Sequence, residues 1–257
     1  MTLSSTKKNI PPKLYKYGFI KKPEYLREIL LDNKIYCSSP FDFNDPFDCR
    51  PRVVVGKTKE ELKGAKKVIE GILQKLTNFD RNTRRSEAKR LIKKIQKYEN
   101  LTDAYKLLLS RAGVYCLSGK NDNLLMWGHY GDKHQGYCLE FSAEPEGSFF
   151  SNAEEVRYKQ NYPVVKMFTA DKYDWGKESF LTKSVDWKYE EEWRLTSKQP
   201  GHLDFPPETL IGLILGCRMS DTDRQQIVAW NAVRQPSIKI YQATIHEREF
   251  KLQIRPV

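Results

Sequence analysis

Histidine is scarce in this sequence and cysteine is unpaired. The four histidines stand at 129, 134, 202 and 246, and His129 and His134 are five residues apart, the wrong step for one helix face. HExxH is missing, so no zinc peptidase is expected. The five cysteines, at 37, 49, 116, 138 and 217, form no CxxC. They predict neither a disulfide framework nor a structural zinc site, only reduced and mostly buried thiols in a cytoplasmic protein without a metal. The signatures GxSxG, GxGxxG and GxxxxGK before Ser or Thr are missing too, which disfavours a hydrolase elbow, a Rossmann fingerprint and a Walker loop. No apolar run approaches the ~18 residues of a membrane span, so no membrane partner is expected. Met1 to Lys13 are polar and basic without an apolar core, so no secretory signal is expected.

Positive charge is in excess. Lys and Arg number 44 against 33 Asp and Glu, a net +11 over 257 residues. Residues 57–111 hold 16 of the former and 7 of the latter, so +9 of the excess sits in one segment. That segment reads as helices. Leu62, Ala65, Ile69, Ile72, Leu73 and Leu76 fall at helical spacing, as do Ala88, Leu91, Ile92 and Ile95, with Ser86 as an N-cap. Lys89, Arg90, Lys93, Lys94 and Lys97 crowd the remaining face. Arg90, Lys93, Lys94 and Lys97 then form a basic surface for nucleic acid or an acidic protein acceptor. A solvated face that aids solubility fits the same pattern, because no aromatic residues interleave the charge.

The chain as a whole is 39% hydrophobic and 12% aromatic, which excludes a disordered chain. Strands are predicted at Leu14–Tyr17, Lys34–Cys37, Gly113–Ser118, Gly136–Phe141, Trp187–Thr196, Leu210–Leu215, Ile238–Ile245 and Phe250–Ile254. Helices are predicted from Pro23 to about Asn33, over Asn123–Tyr130, and from Ser220 to about Val233. Residues 1–13 read as a loose arm, 41–48 as a turn and 142–180 as irregular. The order is α+β without regular βαβ alternation.

Two segments carry chemistry. In WKYEEEWRLT, read as a strand of period two, Glu190, Glu192 and Arg194 share one face while Tyr189, Glu191, Trp193 and Leu195 share the other. Carboxylates in a row raise one another's pKa, which is tolerated in water or wanted in a site. In MWGHY, Trp127 and Tyr130 beside Gly128 and Gly131 are suited either to stack a flat ligand ring or to fill the core.

LYKYG, DNKIYCSSPFDFNDPFD, NLLMWGHYGDKHQGYCLEF, and Lys183 with WKYEEEWR together resemble an uncharacterised bacterial family with an LYKY, FNDPF, MWxHY and WxYExEWR signature. More distantly, the strand–helix–strand start, GVYCLS, MWGHY and GYCLEF, and the late ExE resemble NAD-dependent ADP-ribosyltransferases. That resemblance implies a single domain over 1–257 with a split mixed β-sheet core and a basic helical insertion at 57–111. It implies NAD as substrate and no metal. Glu192 would hold the 2′-hydroxyl of the nicotinamide ribose, and Glu190 would orient the acceptor. Tyr130 would stack on nicotinamide with Tyr115 or Ser118 nearby, and Tyr17, Trp127 and Arg194 would line the same site. Lys16 stands where such enzymes carry His or Arg and would meet a ribose or diphosphate oxygen. The functional expectation is therefore an NAD glycohydrolase or ADP-ribosyltransferase in bacterial defence or as a toxin. The rival expectations are a nucleic-acid-binding module or an interaction subunit without catalytic activity.

Overall fold

The computed structural model describes residues 10–55, 58–96, 109–144, 148–167 and 175–257. Of the expected N-terminal arm, residues 1–9 lie outside that description. The chain divides into two compact units rather than one domain. One is built from the chain up to Ser39, Ala112–Val156 and Val185–Val257, and the other from Pro40–Arg111 and Arg157–Ser184. Strands are numbered along the whole chain. Those of the first unit are β1 (Lys13–Gly18), β2 (Lys34–Cys37), β4 (Gly113–Ser118), β5 (Tyr137–Ser142), β6 (Glu154–Glu155), β10 (Glu192–Ser197), β11 (Gly201–Asp204), β12 (Leu210–Leu215), β13 (Lys239–Ile245) and β14 (Leu252–Pro256). Those of the second are β3 (Arg52–Val55), β7 (Arg157–Lys159), β8 (Val164–Met167) and β9 (Thr182–Ser184).

In the first unit the sheet runs β14-β13-β12-β5-β1-β4-β10-β6, with β2 and β11 as a separate ribbon. Among the described residues of this sheet only β12 and β13 pair in parallel, and the helix Asp221–Val233 makes the crossover that a parallel pair requires. Ser220 caps this helix by accepting from the Asp223 N–H at 3.1 Å. The early helix is Pro23–Arg27 continued by a π-turn over Glu28–Asp32, and it stops at Asn33 in a left-handed conformation.

Alternation along β1 sorts the sheet into two faces. Leu14 joins Tyr115, Leu117, Leu139, Phe141, Leu213 and Leu215 in the larger cluster, under Leu26, Leu30 and Ile227. Tyr17 joins Cys138, Ile214 and Ala243 on the other face, under Met126 and Trp127. Both faces of β12 are buried, which explains its unbroken apolar sequence LIGLIL.

In the second unit β3 pairs with β8 and β7 with β9, both in parallel. The helices Lys59–Leu76 and Arg81–Gln96 bury Ala65 and Ile69 against Ala88 and Ile92. Thr58 and Glu61 close a capping box at the first. The second helix begins five residues before the expected Ser86 cap: Asp80 accepts from the Asn82 and Thr83 N–H groups at 2.7 and 3.0 Å. A short polar side chain ahead of a basic first turn supplied that cap, and apolar spacing alone did not point to it. Ile95 and the stretch 97–108 lie outside what can be described of side chains. No helix among the described residues is long and apolar enough to cross a membrane.

Candidate functional site

The segment WKYEEEWR is not one strand. Val185–Glu190 is a 3-10 helix, Glu191 has φ 42, and β10 begins only at Glu192. The period-two face therefore survives for Glu192 and Arg194 and is broken between them and Glu190. Glu191, placed in the left-handed region by this junction, is exposed. Its carboxylate meets Lys120 Nζ at 2.6 Å, and its carbonyl accepts from the Gly119 N–H at 2.8 Å.

Glu192 and Arg194 are both buried, at 3% and 1% exposure. The guanidinium donates through Nε to Oε1 at 2.7 Å and through Nη2 to Oε2 at 3.0 Å, a two-pronged ion pair. Register sets Glu192 opposite Ser118 and Arg194 opposite Cys116. Burial, followed by the charge of Glu192, pushes the Cys116 thiol far above its ordinary value. Glu190 reaches the same place by another route. Its carbonyl accepts from Ser118 Oγ at 2.6 Å, and its Oε1 accepts from the Tyr130 hydroxyl at 2.7 Å. Thus Ser118 stands beside two residues with buried carboxylates: it lies opposite Glu192 in the strand register, and its hydroxyl donates to the main chain of Glu190.

Asn123 fixes Tyr130 in this arrangement. Its Oδ1 accepts from the N–H groups of Leu125 and Met126 and so starts the helix Leu124–His129, which ends just before Tyr130. Its Nδ2 donates to the Tyr189 carbonyl at 2.7 Å, tying that helix to the turn that carries Glu190. His129 Nδ1 lies 2.9 Å from the Tyr189 hydroxyl and adds a second tie.

Four residues expected at the site are placed elsewhere. Lys16 alternates with Tyr15 and Tyr17, so it points to the opposite face. There its Nζ donates to the Cys116 carbonyl at 3.0 Å and lies 4.8 Å from the Tyr115 ring centre. Tyr115 is buried on that same opposite face beside Phe141 and Phe150. Trp127 is fully buried, with its Nε1 donating to the Asn121 carbonyl at 2.8 Å. Tyr17 packs edge-on against it at 5.3 Å and donates to the Lys120 carbonyl. These two aromatics are core rather than a stacking platform. Of the basic residues, Arg90, Lys93 and Lys94 are exposed on the helix Arg81–Gln96 of the second unit, and Lys97 lies outside the described residues.

Sequence reasoning passed over the turn that follows Tyr130. Asp132, Lys133 and His134 take φ 49, 54 and 67, three left-handed residues in succession. Each such residue costs on the order of 1 kcal/mol or more, so the run must be held from outside. Asp132 is buried and lies 3.4 Å from Lys21, and the His134 ring stacks on Trp127. Burial and then Arg218 hold the His134 imidazole below its ordinary pKa. Gly136 has no room for a side chain, because a Cβ would meet the Gly18 carbonyl. The only sequence signal was a cluster of Gly, Asp and Lys. Among the described residues no group of three or more His, Cys, Asp or Glu could hold a metal.

Fold and site together define a mixed α+β protein whose large sheet carries a buried Glu192–Arg194 ion pair, with Glu190 on the turn that leads into it. Residues 126–195, which include MWGHY and EEEWR, carry a DUF2971 domain, described as a protein family of unknown function. No curated protein and no solved structure matches the chain.

Proposed function

We propose that the first unit cleaves the N-glycosidic bond of NAD and passes the ADP-ribosyl group to water or to an acceptor, on an ADP-ribosyltransferase-like sheet. The observation that carries this reading is the two buried carboxylates, Glu192 on Arg194 and Glu190 on Tyr130, whose residues both neighbour Ser118. Loss of nicotinamide leaves a ribose with oxocarbenium character. A fixed carboxylate in a site of low dielectric stabilises that charge without rearranging during the reaction. Glu192, held in one orientation by two hydrogen bonds, suits this role. Glu190, which accepts from the Tyr130 hydroxyl, suits orientation of the attacking hydroxyl. Lys16 and Tyr115, on the opposite face, have no part in it.

The test is release of nicotinamide from NAD by the purified chain. Wild type is expected to release it, Glu192→Gln to lose about 10²–10³ of the rate, and Tyr130→Phe to lose less. Glu190→Gln is expected to impair transfer to an acceptor more than hydrolysis. Glu191→Gln touches only an exposed ion pair and is expected to change little. Absence of nicotinamide release by folded wild type would overturn the reading.

A second reading is favoured by the second unit. Its helix pair buries an apolar seam and leaves Arg85, Lys89, Arg90, Lys93 and Lys94 exposed, a surface suited to nucleic acid without catalysis.

A further inference from the structure

FNDPF and Lys183 have no part in the carboxylate site, yet the second unit brings them together. Asp48, at the end of that loop, and Lys183, on β9, are both buried and meet at 3.6 Å although 135 residues separate them. The Cys49 N–H donates to Asp48 Oδ1 at 2.7 Å, and Cys49 has φ 49. A bulky residue in the left-handed region signals a backbone held by its surroundings. The next residue, Arg50, lines a shallow cleft that is open to solvent. The cleft also takes Lys159, Lys183, Phe47 and Tyr162 into its wall.

Its charge is unbalanced. Arg157 and Lys159 share one carboxylate, Glu178, at 2.6 and 3.6 Å, and Lys183 has Asp48. Arg50 makes no ion pair among the described residues. Three cations, Arg50, Lys159 and Lys183, thus line the cleft, and Arg50 in particular is placed to meet an anionic group such as a phosphate. The same wall holds two aromatic rings that a monomeric surface has little reason to expose: Phe47 is 61% and Tyr162 43% exposed. Gln160, Asn161 and Ser184 add hydrogen-bonding groups. Cations beside exposed rings form a cradle for an anionic, flat-ringed ligand.

We propose that this cleft binds a nucleoside monophosphate, the phosphate on Arg50 and Lys159 and the base against Tyr162 and Phe47. The inference is independent of the NAD reading, because every residue it uses belongs to the other unit. Titration calorimetry on the full chain tests it with AMP, adenosine and inorganic phosphate as separate probes. AMP is expected to bind most tightly. Arg50→Glu should weaken AMP by about tenfold or more and remove phosphate binding. Tyr162→Ala should weaken AMP and adenosine by about tenfold and leave phosphate unchanged. Tyr162 is exposed and Arg50 half-buried, so both variants should keep the wild-type circular dichroism. No saturable AMP binding by wild type, or equal AMP binding by Arg50→Glu, would overturn the proposal. Phosphate binding as tightly as AMP would overturn its nucleoside part.

Discussion

A charge buried at 1–3% exposure is tolerable only with its partner, and that governs what substitution at Glu192 does. Glu192→Gln leaves the Arg194 guanidinium buried beside a neutral amide. It should destabilise the protein by about 3 kcal/mol or more in urea unfolding. Adding Arg194→Met to that variant removes a buried charge that has lost its Glu192 partner and should recover part of the loss, a coupling that the double-mutant cycle reads directly. Nicotinamide release must therefore be compared at equal folded fraction. Tyr115 gives the opposite sign. Its hydroxyl is buried without a hydrogen-bond partner, on the face away from the carboxylates. Tyr115→Phe removes an unsatisfied polar group and should leave stability equal or raise it by about 1 kcal/mol, with nicotinamide release unchanged. A loss of activity in Tyr115→Phe would return that residue to the site. At this scale the sequence showed that Glu192 and Arg194 share a face, because period two is local. It did not show that Lys16 and Tyr115 lie behind the sheet, because a residue's face relative to another strand depends on register, which is set by pairings more than 100 residues apart.

Elements with strong local signals were legible, and those held by distant partners were not. Gly113–Ser118, Lys34–Cys37 and Leu210–Leu215 form strands over the expected residues, and Asn123 and Ser220 start the expected helices. The strands β3, β7, β8 and β9 have three or four residues each and no alternation to read. They exist because each finds a parallel partner far along the chain. The same lack of signal hid the second unit, whose stretches 40–111 and 157–184 meet through the β3–β8 pairing and the Asp48–Lys183 ion pair. The strand expected over Trp187–Thr196 failed at its first half, where the 3-10 turn is fastened by Asn123 and Ser118 instead of by a neighbouring strand. The Asp80 cap carries a pH dependence of definite sign. Hydrogen bonds from the Thr83 N–H and hydroxyl, then from the Asn82 N–H, hold its carboxyl below the ordinary 3.8. A depressed carboxyl contributes stability above its unfolded value and loses it as pH falls through the folded one. The helix Arg81–Gln96 should therefore fray at its start only below about pH 3.8. Asp80→Asn, which still caps, should flatten that part of the acid dependence in amide exchange.

For the molecule as a whole, the uneven charge separates two ways of meeting a partner. The excess of +9 lies in residues 57–111, while the carboxylate pair is built from stretches that are nearly neutral. If the exposed helix face binds nucleic acid, the affinity must fall with salt by about 0.9 in log–log slope for each phosphate neutralised. Not every basic residue contributes equally. Arg90 is already tied to Glu87 through Nε at 3.0 Å and Nη2 at 2.9 Å, so part of its charge is answered within the helix. Lys93 and Lys94 are exposed and have no carboxylate partner among the described residues. Reversing Lys93 and Lys94 together should therefore flatten the slope for duplex DNA by more than reversing Arg90 alone, by about 2 if each meets one phosphate. Because all three side chains point to solvent, the variants should unfold at the wild-type urea midpoint, and release of nicotinamide in the absence of nucleic acid should not change. A slope that stays the same after reversal of Lys93 and Lys94 would reduce the basic face to solvated surface and leave the carboxylate pair as the sole functional reading of the two.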